Sequence, residues 1–226
     1  MDSLPIEQAK KWSGEAFRNI ATCDPTQDLY DDIVDPEDFE LLFEIEGRTQ
    51  GIDKSQPGKN RCFQYGNIDR STLCFERFFS WGRFGAGNYG VWYGALEEET
   101  SIAETSYKRP EIDKNDFENS EGPIVQCRRM FKASLDAKLS IDTRTIAKIQ
   151  SHLTSDDYSF CQNLGEQAIE NNIDMFLTPS ARRTGGICTP VFSGETAVSD
   201  QAIRSYLVIY ESIDIPARFA PISEQK

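Results

Sequence analysis

Between Trp81 and Arg109 the chain reads WGRFGAGNYGVWYGALEEETSIAETSYKR. Gly82, Gly85, Gly87 and Gly90 punctuate its first part, which marks a loop whose backbone takes turns that other residues resist. Val91-Trp92-Tyr93 is a β-branched and aromatic run, the usual composition of a buried strand. From Glu97 the sequence turns acidic, as a first helical turn prefers, and continues through Ile102, Ala103 and Tyr107 at helical spacing. Loop, strand and helix thus follow one another with no room for anything between. Consecutive elements generally pack side by side, so Arg83, Tyr93 and Glu104, one on each, can converge.

The rest of the chain limits what such a convergence can do. At 226 residues it is long enough for one substantial core and short for two. No apolar run approaches the ~18 residues of a membrane helix, and MDSLPIEQAKKW lacks the apolar stretch of a secretory signal, so the expected location is the cytoplasm. A net charge of −13 repels a phosphate backbone over most of the surface and disfavours direct nucleic-acid binding. Arg182-Arg183 is a candidate for a local basic pocket. The six cysteines (Cys23, Cys62, Cys74, Cys127, Cys161, Cys188) form no CxxC pair, as expected of reduced thiols. A single histidine, His152, excludes sites that need two, and no metal is expected.

Along the chain, Ile6, Ala9, Trp12, Ala16, Phe17 and Ile20 suggest an amphipathic helix over 4–20. Asp35-Pro36 reads as the start of a second, with Phe39, Leu42 and Phe43 inward and Gly47 as its stop. Residues 1–50 are therefore expected to be an N-terminal helical extension, and 51–226 the main domain. In that domain the expected strands are Cys62–Tyr65, Ile124–Leu135, Lys138–Ile141, Asp174–Leu177, Ile187–Phe192 and Tyr206–Tyr210. A short helix is expected over 143–152, and a longer one capped by Asp156 and running through Asn171, with Tyr158, Cys161, Leu164, Ala168 and Ile169 inward. Residues 110–122 read as a polar loop. Without regular βα alternation, the fold class is α+β.

Each candidate side chain admits two readings. Arg83, among glycines, can fork onto a phosphate or carboxylate, or it is a solvated loop arginine. Tyr93 can stack on a flat heterocycle, or it is a core tyrosine with its hydroxyl on the backbone. Glu104, on the apolar side of its helix, can stabilise a developing positive charge, or it is a half-exposed helix residue. Ser180, in Pro179-Ser180-Ala181-Arg182, can hydrogen-bond a ligand or cap its own turn. No GxSxG elbow surrounds it, which argues against a nucleophile.

The order of these motifs is more informative than any one of them. GRF, then VWYGA, then SIAETSY, then YSFCQNLG and finally PSAR resembles the RES domain family, over roughly residues 60 to 212. The resemblance implies a fold related to ADP-ribosyltransferases of the diphtheria-toxin kind. It also implies cleavage of the nicotinamide–ribose bond of NAD⁺, by hydrolysis or phosphorolysis, and a toxin held inactive by a helix-turn-helix (Xre-like) antitoxin. The matching motifs imply that Arg83, Tyr93, Glu104 and Ser180 are the active-site positions, with Arg83, Tyr93, Ser180 and Arg182 touching NAD⁺. A transferase that attaches ADP-ribose to a protein, and a binding module that has kept the fold, stay open beside it.

Overall fold

No glycine or proline interrupts the segment from Ile124 to Asp142, and in the computed structural model it is one strand of 19 residues, β3. The break expected near Asp136 does not occur. That side chain points to solvent, where it accepts from Ser13 Oγ at 2.5 Å and lies 3.2 Å from the Lys11 ammonium. Residues 4–21, 82–107, 122–211 and 217–221 are the ones the structure describes. The expected helix after Asp35, the expected strand Cys62–Tyr65 and nearly all of the expected loop at 110–122 lie outside them.

Around β3, the strands β1 (Lys10–Ala21), β2 (Trp92–Ala95), β4 (Met175–Pro179), β5 (Ile187–Val191), β6 (Ala197–Tyr210) and β7 (Arg218–Pro221) complete a seven-stranded sheet, ordered β1-β2-β5-β4-β3-β6-β7. β1 also pairs antiparallel with β3, so β1, β2, β5, β4 and β3 close into a ring. β6 and β7 extend the sheet beyond β3. The pairing of β3 with β4, Ser140–Asp142 against Met175–Leu177, is parallel, and the others are antiparallel. The helices are α1 (Glu98–Tyr107), a single turn α2 (Gln150–Leu153) and α3 (Ser159–Glu170). Among the described residues the class is α+β with a sheet-dominated core and few helices. No helix among the described residues is long and apolar enough to cross a membrane.

Three expectations need correction. Residues 4–20 are not a helix: a short 3₁₀ turn, Ile6–Gln8, leads into β1. Lys11, Ser13 and Glu15 are exposed while Trp12, Gly14 and Ala16 turn inward, which is the period of a strand. The short helix over 143–152 is two 3₁₀ turns, Thr143–Thr145 and Ala147–Ile149, running into α2. At the start of α3 it is Asp157, not Asp156, that accepts from Ser159, at 3.0 Å from its N–H and 2.6 Å from its hydroxyl.

Two apolar layers result. Trp92, Val191, Met175, Leu177, Ala133, Leu135 and Ala16 pack on one face of the ring strands. On the other face α3 lays Cys161, Leu164 and Ala168 against Phe176, Ile141, Phe84 and Val91. The register of β2 on β5 sets Tyr93 opposite Pro190 and Ala95 opposite Cys188. Side chains two apart share a face, so Tyr93 and Cys188 are diagonal neighbours on the α3 side. The candidate site forms there.

Candidate active site

The loop carrying Arg83 is held down by α3. Gln162 Nε2 donates to the Gly82 carbonyl at 3.1 Å, and the Tyr89 hydroxyl donates to the Phe84 carbonyl at 2.7 Å. Burial raises the Tyr89 phenol well above its ordinary range, so it stays a donor. The approach is close enough to require glycine. A Cβ on Gly165 would lie 2.0 Å from the Phe84 carbonyl oxygen, and one on Gly82 would lie 2.5 Å from the Tyr93 hydroxyl.

Tyr93 fastens the same loop from the strand side, its hydroxyl accepting the Phe84 N–H at 3.0 Å. The backbone role foreseen for a core tyrosine is therefore real, and it ties β2 to the residue next to Arg83. Replacing Tyr93 with phenylalanine leaves the buried Phe84 N–H without this acceptor, and we expect a loss of about 1–3 kcal/mol in urea denaturation. A midpoint equal to wild type would show that the bond contributes nothing to stability.

Arg83 is not a solvated loop arginine. Its Nη1 donates to the carbonyls of Leu153 (3.1 Å) and Ser155, and its guanidinium carbon sits 4.5 Å from the centre of the Tyr158 ring. Its charge acts on two thiols, Cys161 and Cys188, opposing the effect of their burial. Cys161 is nonetheless pushed up to about 11. Arg83 thus braces the connection between α2 and α3 while lying close enough to Cys188 to influence it.

Glu104 and Ser180 meet directly. Ser180 Oγ donates to Glu104 Oε1 at 2.6 Å, and the Ala181 N–H donates to the same oxygen at 2.9 Å. Ser180 Oγ also accepts the N–H groups of Arg182 (3.1 Å) and Arg183 (3.0 Å). A hydroxyl has one proton and two lone pairs, so Ser180 is fully used. Its hydroxyl ties Glu104 to the turn that follows β4. Arg182 pairs with Asp156 and stacks on Tyr107, its guanidinium carbon 3.1 Å from the ring centre. Arg183 is tied to Thr100 at 3.0 Å and lies 3.7 Å from Glu97.

The sequence of this site also has relatives. The family model for the RES domain matches residues 63–214. The chain belongs to the RES domain family. Arg83, Tyr93, Glu104 and Ser180 all fall inside the RES match, whereas β1, which closes the ring, precedes it. Among solved structures, the crystal structure of the M. tuberculosis MbcT–MbcA toxin–antitoxin complex aligns over 86% of either chain, with a TM-score of 0.43 and 12% identity. No curated protein matches the sequence.

Sequence reasoning missed three members of this candidate site. Cys188 lies 3.5 Å from Glu104 Oε1, yet as one of six scattered cysteines it gave no signal. Burial first, then the Glu104 charge and hydrogen bond, push its thiol far above the ordinary range, and Ser180 and Arg83 only partly oppose this. Tyr158, expected inward on its helix, is the platform under Arg83. Asp156 was read as a helix cap and is the partner of Arg182. Among the described residues no group of three or more His, Cys, Asp or Glu is placed to hold a metal ion.

Proposed function

We propose that this RES protein cleaves the nicotinamide–ribose bond of NAD⁺, on a scaffold related to ADP-ribosyltransferases of the diphtheria-toxin kind. The observation that carries the reading is the Glu104 carboxylate. It is oriented by Ser180 and Ala181, and Cys188 brings it beside the sheet face that holds Tyr93. Breaking C1′–N1 sends the bonding pair to the nicotinamide ring nitrogen, which leaves as neutral nicotinamide. The ribose is left with oxocarbenium character. A fixed carboxylate beside it stabilises that charge without reorganising, which is where electrostatic catalysis gains most. Water or inorganic phosphate then bonds to C1′, and water gives up its proton as it does so.

Tyr93 packs against the nicotinamide or its ribose. Arg83 offsets the pyrophosphate charge, because a buried phosphate without a cation carries a large desolvation cost. Ser180 holds Glu104, and Arg182, braced by Asp156 and Tyr107, contacts the NAD⁺. Family membership supports the further reading of a toxin neutralised by a helix-turn-helix antitoxin, acting in the cytoplasm.

The test is to incubate the purified full chain with NAD⁺, with and without inorganic phosphate, and to identify products by mass. We expect free nicotinamide, with ADP-ribose if water is the acceptor. If phosphate is the acceptor, a phosphorylated ADP-ribose appears only in its presence. Intact NAD⁺ in both tubes overturns the proposal.

A further inference from the structure

We infer that Glu104 is held by one carboxylate oxygen and works with the other, and that Cys188 is a positioning residue that helps to hold it. Among the described residues every hydrogen bond of Glu104 ends on Oε1: from Ser180 Oγ at 2.6 Å, from the Ala181 N–H at 2.9 Å and from Cys188 Sγ at 3.5 Å. A carboxylate has about four lone-pair sites over its two oxygens. Three donors on one oxygen fill it, so a ribose hydroxyl can be accepted only at Oε2.

The donors come from two directions. Ser180 and Ala181 belong to the turn after β4, itself fixed by the Arg182 and Arg183 N–H groups on the Ser180 hydroxyl. Cys188 comes from β5, locked between β2 and β4 by the pairings Ala95↔Cys188 and Thr178↔Cys188. Donors from two sides resist rotation of the carboxylate about its last side-chain bond. The thiol suits this place because it stays protonated there: burial and the nearby carboxylate both disfavour a thiolate. It therefore serves as a donor and not as a competing anion or nucleophile.

The functional half of this inference rests on the proposed NAD⁺ cleavage, and the test separates the two. In the full chain, Cys188→Val removes the S–H and adds one carbon, and Cys188→Ser keeps a donor. We expect Cys188→Val to lower kcat for nicotinamide release about tenfold, equivalent to roughly 1.4 kcal/mol. KM should be unchanged, because the thiol acts on Glu104 and not on NAD⁺. Cys188→Ser should recover most of the loss. Wild-type kcat in Cys188→Val, or Cys188→Ser as impaired as Cys188→Val, overturns the inference.

A second measurement needs no activity. Iodoacetamide labelling of the peptide containing Cys188, at mildly alkaline pH, should run several-fold faster in Glu104→Gln than in wild type, because the carboxylate charge that opposes the thiolate is gone. Equal labelling rates overturn the coupling. A wild type that leaves NAD⁺ intact overturns the proposed activity, and the labelling comparison then decides the coupling on its own.

Discussion

Glu104→Gln removes NAD⁺ cleavage by a factor on the order of 10²–10³ and leaves the protein folded; this is the expected result of exchanging one carboxylate oxygen for an amide nitrogen. The geometry dictates which oxygen is lost. Ser180, Ala181 and Cys188 all donate toward Oε1, and an amide nitrogen cannot accept, so the glutamine carbonyl must occupy that position. Its NH₂ then stands where Oε2 stood. A donor replaces an acceptor where we propose the ribose lies, and the negative charge disappears. The folded state keeps its internal bonds, so the thermal midpoint should stay within a few degrees of wild type. Nicotinamide release under single-turnover conditions is the measurement. Wild-type rates in a folded variant would remove Glu104 from the mechanism.

The largest structural effect is expected from Gly165→Ala. One methyl group placed there would lie 2.0 Å from the Phe84 carbonyl oxygen, 2.4 Å from the Tyr89 hydroxyl and 3.1 Å from the Phe84 carbonyl carbon. Two of these atoms are backbone, and the third is on a buried tyrosine bonded to the same carbonyl, so none can swing aside. α3 and the Arg83 loop must separate. Overpacking of this kind costs about 1–3 kcal/mol, and here it also strains the Gln162–Gly82 hydrogen bond. We expect a lower urea midpoint and a drop in nicotinamide release at temperatures where the variant is still folded, since the displaced loop carries Arg83. A stable, fully active Gly165→Ala would show that the loop need not sit against α3.

Some of this was readable in advance. The succession of loop, strand and helix after Trp81 rests on local composition, and β2 and α1 lie where it puts them. The α+β class followed from the same kind of signal. β1 was misread because Ile6, Ala9, Trp12, Ala16 and Ile20 fit a helical stripe, while the exposed Lys11, Ser13 and Glu15 fit a strand equally well. Only pairing with β3, more than a hundred residues away, decides between them. Position in the turn decided which aspartate accepts from Ser159 at the start of α3, a choice between Asp156 and Asp157 that two adjacent aspartates leave open. The partners of Arg83 are main-chain carbonyls at Leu153 and Ser155, which any residue type supplies, so no motif records them. Cys188 was invisible for a related reason: a thiol gains a role here only from the strand register that turns it toward Glu104.

The anchoring of Glu104 also sets a clock on synthesis. Its third donor lies 84 residues further along the chain, and the strand that carries that donor is also the one on which β2 pairs. A ribosome adding about 5–20 residues per second needs on the order of ten seconds to cover that distance. Until then the carboxylate has been made but lacks one of its three donors, and the other two, from Ser180 and Ala181, arrive only 76 and 77 residues after it. The NAD⁺ cleavage proposed for Glu104 therefore waits on β5, and a nascent chain that has not reached that strand carries the carboxylate without its full set of donors.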